Sequence, residues 1–277
     1  KCRVKLISGA VDMERNPRLS QAEYDEQWRL ACQSRVTGDA VIWVPAAAAA
    51  FRSEIKTADL STAEELARYE AATEEIFETG IPRGCAQSGV GVAVDIGTTT
   101  CTAAMLDLQS GRVLSKASMG NGQIRYGADV INRIIESGRE GGSQRLQQAV
   151  IDESIRPLVQ EMCASVGIST KNVNRMCLAG NTTMNHLLLG LYSEPVRMEP
   201  YIPTFFHCDD IRASLLHLGL HPEAKLILAP NIGSYVGGDI TAGAFASMLW
   251  NKEEMALFID LGTNGELVFG NNEFLMS

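Results

Sequence analysis

One strand-and-turn pattern occurs twice in this sequence, and it constrains the fold more than any other feature. Val92-Ala93-Val94-Asp95-Ile96-Gly97-Thr98-Thr99 is repeated in kind by Leu257-Phe258-Ile259-Asp260-Leu261-Gly262-Thr263-Asn264. Each copy is an apolar run ending in Asp, then a Gly turn with hydroxyl or amide residues, then an outgoing strand. A lone Asp-x-Gly-Thr is a common hairpin corner. Two copies in the same strand context imply an internal duplication, with two half-domains facing each other across a cleft.

The residue types suit phosphate. Glycine has no Cβ, so its backbone can approach an anion and take turn dihedrals that other residues resist. Successive backbone N–H groups in such a turn form an anion-binding concavity. The hydroxyls of Thr98, Thr99 and Thr263 add donors without charge, and Asp95 and Asp260 can hold Mg²⁺ through water beside a phosphate. A third element, Gly233-Ser234-Tyr235-Val236-Gly237-Gly238-Asp239, opens a helix whose N-terminal N–H groups can face phosphate or a magnesium-bound water. Asp239 is the candidate for positioning an attacking water; its alternative role is an ordinary N-cap. Leu178-Ala179-Gly180-Asn181-Thr182-Thr183 is another strand-to-helix turn, which either lines the cleft or serves only for capping by Asn181.

The surrounding pattern is α/β. Strands are predicted at 90–96, 101–108, 112–117, 176–179 and 226–229, and again at 256–261, 267–269 and 274–276. Helices are predicted at 128–136, 144–166 and 238–249. Residues 46–88 read as a linker, with a short helix over 62–79 capped by Ser61 with Glu64 three positions on. Residues 1–45 are β-rich, with strands at 3–7 and 40–44 and turns at Ser8-Gly9 and Thr37-Gly38-Asp39.

The composition, 45% hydrophobic and 21% charged, is that of a globular protein. No apolar run approaches the ~20 residues of a membrane-spanning helix, so no membrane is expected. A net charge of −9 argues against a nucleic-acid partner. Seven cysteines at irregular spacing suggest no disulfide framework, and no leader precedes the first strand, which together suit the cytoplasm. The absence of an initiator Met and the strand that stops at Ser277 give the chain the look of a piece of a longer protein.

The two hairpins resemble those of the actin-like ATPase superfamily of sugar kinases, actin and heat-shock chaperones. The resemblance implies an actin-like (ribonuclease H-like) ATPase domain over residues 89–277 that clamps ATP and Mg²⁺. The nucleotide would lie on Asp95, Gly97, Thr98, Thr99, Gly237, Gly238, Asp260, Gly262, Thr263 and Asn264. Lys1-Cys2-Arg3-Val4-Lys5 and Arg29-Leu30-Ala31-Cys32-Gln33 resemble the latter part of a plant-type [2Fe–2S] ferredoxin. That implies the C-terminal part of a β-grasp module over residues 1–45, with Cys2 and Cys32 as third and fourth cluster ligands. Cys85, Cys101, Cys163, Cys177 and Cys208 have no mutual ligand spacing and go to packing or to no role.

A ferredoxin module fused to an actin-like ATPase resembles the reductive activators of corrinoid proteins. Arg125-Tyr126-Gly127-Ala128-Asp129-Val130-Ile131 and Asp260-Leu261-Gly262-Thr263-Asn264-Gly265-Glu266 match as well. Membership would imply ATP-dependent return of a corrinoid methyl-transfer protein from Co(II) to Co(I). The electron would come from a low-potential donor through the [2Fe–2S] cluster, in a homodimer. Characterised activators carry a further middle domain, which residues 46–88 are too short to form, and their adenosine-binding region would follow Ser277. The alternatives are a small-molecule kinase with Asp239 as general base, or an ATP-driven switch without catalysis.

Overall fold

Apolar alternation and tight turns build two sheet-centred units, Lys1–Lys56 and Thr57–Ser277. The computed structural model describes residues 3–45, 62–81, 89–208 and 211–277. No helix among them is long and apolar enough to cross a membrane.

In the first unit, β1 (Arg3–Asp12) pairs antiparallel with β2 (Trp28–Leu30) on one side and β3 (Arg35–Trp43) on the other. Helix α1 (Gln21–Asp25) starts on a capping box made by Ser20 and Glu23. Met13, Leu19 and Leu30 form the small core, with Tyr24 and Trp28 packed against it. The turns expected at Ser8-Gly9 and Thr37-Gly38-Asp39 do not form, because both strands run straight through them. The ladder absorbs the extra residues as a register shift between Gly9 and Val11. Gly9 takes a φ of +87°, and a Cβ there would fall 2.0 Å from the Asp39 carbonyl oxygen. Cys2 lies outside the described residues, as does the side chain of Cys32, whose backbone is in the short 3₁₀ turn Ala31–Gln33. A β-grasp ferredoxin is not recognisable among the described residues of this unit.

The second unit opens with α2 (Ala63–Glu78), capped by Thr62, whose side chain accepts from the Glu65 N–H. The expected cap, Ser61, lies outside the described residues. Next comes an antiparallel meander of β4 (Val90–Ile96), β5 (Thr100–Asp107) and β6 (Val113–Gly120). The sheet continues on the other side of β4 through β7 (Val173–Gly180), β9 (Lys225–Leu228) and the short β8 (Ile211–Arg212), in the order β6-β5-β4-β7-β9-β8. Because β7 is parallel to β4, and β9 to β7, the connections between them are crossovers that carry helices. These are α3 (Val130–Ser137), α4 (Gly142–Val150), α5 (Arg156–Val166) and α6 (Thr182–Leu188). Leu146, Ile155, Leu158 and Met162 from the helices meet Val92, Val94, Met105, Met176 and Leu178 from the strands in the main core.

The single helix expected over 144–166 is interrupted by a π-turn at Ile151–Ile155. Pro157, two residues on, has no N–H to continue the regular ladder, so the backbone widens there. After β9 comes α7 (Gly238–Ala246), which packs on β7 and on the second sheet. That sheet is another antiparallel meander of β10 (Ala256–Leu261), β11 (Gly265–Gly270) and β12 (Leu275–Met276). The duplicated pattern is therefore also a duplicated structure. The α/β fold expected for this region is present, with a Gly-Thr hairpin in each sheet.

Candidate functional site

Both repeated turns open onto one cavity of about 530 Å³. Asp95, Gly97, Thr98 and Thr99 line it from the β4–β5 hairpin, and Asp260, Gly262, Thr263 and Asn264 from the β10–β11 hairpin. The two turns touch, with the hydroxyls of Thr99 and Thr263 3.2 Å apart. Asp239 lines the same cavity from the first turn of α7.

The first turn is tied down from behind. Asn121 Nδ2 donates to the Gly97 carbonyl at 2.8 Å, Arg133 to the Thr98 carbonyl, and the Asn121 N–H to the Thr99 carbonyl at 2.9 Å. Asn181 Nδ2 donates to the Thr98 hydroxyl at 3.0 Å. With the carbonyls engaged, the N–H groups of Thr98 and Thr99 have no partner among the described residues and are available to a ligand.

Gly237 and Gly238 are not on the cavity wall. Gly237 is the N-cap of α7, so the alternative capping role for Asp239 does not hold. A Cβ on Gly237 would fall 2.4 Å from Asn181 Cα, and one on Gly238 2.5 Å from the Ala229 carbonyl oxygen. These glycines let the start of α7 press against the ends of β7 and β9. Asp239 Oδ1 accepts the N–H of its neighbour Ile240 at 2.8 Å. Asn181 holds both positions that the sequence left open. It caps α6 through the Met184 N–H, and it lines the cavity.

Four carboxylates share this cavity, and the sequence singled out only three. Burial, then Asp239 and Asp260, push the carboxyl of Asp95 up to about 6. Burial is also the main cause that raises Asp239, with Asp260 adding to it. Glu266 is raised by burial and by both of those aspartates. Glu266 pairs with Asp260 across the β10–β11 ladder and follows Asn264 by two residues, so strand alternation puts it on the cavity side. That alternation was the signal for it in the sequence. Asn121 and Arg133 carried no such signal, since only the course of the folded chain brings them behind the turn.

Mutual repulsion and desolvation of this kind are relieved by a cation. Among the described residues no three His, Cys, Asp or Glu side chains are grouped to ligate a metal directly. Asp95 and Asp260 are the residues here that could hold a Mg²⁺ ion, which commonly binds carboxylates through water.

The profile of the family described as the RACo middle region matches residues 90–252, more than half of the chain. The "Corrinoid activation enzyme RamQ" of Eubacterium limosum is 34% identical over 181 residues, covering 65% of this chain and 30% of that protein. A solved structure described as "Reductive activator for corrinoid,iron-sulfur protein" is 28% identical with a TM-score of 0.66, covering 99% of this chain and 55% of the other. The chain thus spans only about a third to a half of the relatives it matches. The middle region that residues 46–88 were too short to supply is in fact the β4–α7 part of the second unit. On this match, supported by the resemblance to reductive activators, the chain belongs to the family that carries the RACo middle region.

Proposed function

We propose that the protein carrying this chain uses ATP and Mg²⁺ to reduce the cobalt of a corrinoid partner from Co(II) to Co(I). One observation carries the proposal: two Asp-x-Gly-Thr turns meet over one acidic cavity, in a chain similar along 99% of its length to a reductive activator. The free N–H groups and hydroxyls of the two turns bind and orient phosphate oxygens. Asp95 and Asp260 would hold Mg²⁺, which would offset phosphate charge, and Asp239 would position the water that attacks the terminal phosphate. The Co(II)/Co(I) couple is too negative for easy reduction, so the free energy of ATP is needed to change the partner's geometry or cobalt ligation. The corrinoid methyl-transfer protein is the substrate, with a low-potential donor supplying the electron. We place the protein in the cytoplasm as a homodimer, with no nucleic-acid partner.

A [2Fe–2S] cluster needs four ligands, and this chain offers two candidates, Cys2 and Cys32, neither with a described side chain. We assign the cluster to the full-length protein, where Cys2 and Cys32 would be two of its ligands.

The test mixes the full-length protein anaerobically with a Co(II) corrinoid protein, a low-potential reductant and MgATP, and follows the Co(I) absorbance. Co(I) should appear only when ATP and reductant are both present. If no combination of corrinoid partner and reductant gives ATP-dependent Co(I), the activator function is wrong.

A further inference from the structure

Arg133 has no solvent exposure, yet its guanidinium meets only neutral acceptors among the described residues. Its Nε donates to the Gly127 carbonyl at 2.9 Å, one Nη to the Gln123 side-chain oxygen at 3.3 Å, and the other to the Thr98 carbonyl. Asp129 acts on that charge electrostatically, but no carboxylate among the described residues bonds to it, and burying a charge in this way is costly. Burial lowers its pKa to about 10, so the charge persists at neutral pH.

The Thr98 carbonyl and the Thr99 N–H are two ends of one peptide plane. A charged donor on the carbonyl polarises that plane and makes its N–H a stronger donor. It also fixes the plane in one orientation. The cavity in front is ringed by Asp95, Asp239, Asp260 and Glu266, whose field opposes an incoming anion. A fixed positive charge just behind the turn offsets that field where the phosphate must sit. The second turn has no equivalent: no described arginine or lysine bonds to its carbonyls, and Leu261 beside it is 87% exposed. The two hairpins match in sequence and differ in support.

We infer that Arg133 is the positioning residue of the first phosphate turn, holding the Thr98–Thr99 peptide from behind and lending it positive charge. The inference rests on the proposal that the cavity binds a nucleotide by its phosphates. A merely structural role would be to tie Gly127 and Gln123 to the turn, and it would affect every ligand alike.

The test is calorimetric titration of the full-length protein with MgATP, MgADP and adenosine, for wild type, Arg133→Met and Arg133→Lys. Arg133→Met should weaken MgATP and MgADP roughly 10- to 100-fold, as expected for a lost charged hydrogen bond, with adenosine within about twofold. Arg133→Lys keeps the charge without the fork, and should weaken the two nucleotides roughly three- to tenfold. Equal weakening of nucleotide and adenosine overturns the inference, and so does unchanged MgATP affinity in both variants. If Arg133→Met does not fold, the nucleotide-to-adenosine ratio of Arg133→Lys decides by the same criterion. Wild-type protein that binds adenosine as tightly as MgATP would instead remove the phosphate-binding proposal itself.

Discussion

Asp95 ends β4 at the cavity wall, and its carboxyl is raised to about 6 by burial and by Asp239 and Asp260. An unfolded Asp titrates near about 3.9, so the native state holds the proton more tightly. Asp95 therefore contributes stability that is full below about pH 4 and is lost as pH rises through about 6. Asp95→Asn should remove that loss and raise the Tm at pH 7.5 by roughly 2–4 °C, the usual sign when a strained functional charge is neutralised. Thermal melts across pH 4–8 check it; an unchanged slope between pH 4 and 6 would sink the assignment. Ligand binding runs the other way, because Mg²⁺ needs the ionised form. MgATP affinity should therefore fall as pH drops through about 6. Asp239→Asn should lower kcat for ATP hydrolysis by roughly 10²- to 10⁴-fold while KM stays within a few-fold, which steady-state assays of the full-length protein would show.

At the scale of elements, α7 is the piece that joins the two hairpins. Its start presses on the ends of β7 and β9 through Gly237 and Gly238, and its middle meets β10 at Gly243, where a Cβ would fall 2.4 Å from Cζ of Phe258. Phe258 and Asp260 lie on the same face of β10, so the ring that packs α7 also fixes where the second turn points. Gly243→Ala should push β10 away from α7, costing about 1–3 kcal/mol as overpacking does. It should also weaken MgATP, since the second turn moves with its strand. Denaturant melts read the first effect and titration the second. Wild-type nucleotide affinity in a destabilised Gly243→Ala protein would show that α7 does not set the cleft.

For the whole molecule, the two units have very unequal cores. The first rests on Met13, Leu19 and Leu30, whereas the second buries a continuous layer from β4, β5, β7, α4 and α5. Domains of about 50–60 residues are marginal without further staples. Residues 57–277 made alone should therefore melt at the same temperature as the 277-residue chain, within a few degrees. A large loss of cooperativity on removing residues 1–56 would contradict the division. The second sheet shows a different imbalance. Ala256 and Phe258 face α7, whereas Leu257, Ile259 and Leu261 on the opposite face of β10 are exposed. An exposed apolar sheet face of this kind promotes association. The 277-residue chain should bind an apolar dye and self-associate in ultracentrifugation, and Ile259→Lys with Leu261→Lys should raise the monomer fraction without lowering the Tm.

What the sequence by itself determined was local and repeated. Two apolar strands ending in Asp, each followed by a Gly-Thr turn, were enough to foresee the hairpins at Asp95–Thr99 and Asp260–Asn264 and the cavity they share. Side-chain period and glycine placement are short-range properties, and they survive folding. The breaks in that success are equally physical. Gly9 and Gly38 looked like turns because isolated glycine favours them, but the β1–β3 ladder was worth more and drew them into a bulged strand. Gly237 and Gly238 looked like phosphate ligands and are contacts between α7 and the strand ends. Asn121, Arg133 and Glu266 were not singled out. Glu266 follows from strand alternation within the second hairpin, whereas Asn121 and Arg133 reach the site from a loop and a helix that only the crossing of chain segments brings there. The charge balance of the cavity belongs to the same class, because burial and distance between remote carboxylates set it. Donors and turns were written along the chain; their support and their field come from the packing.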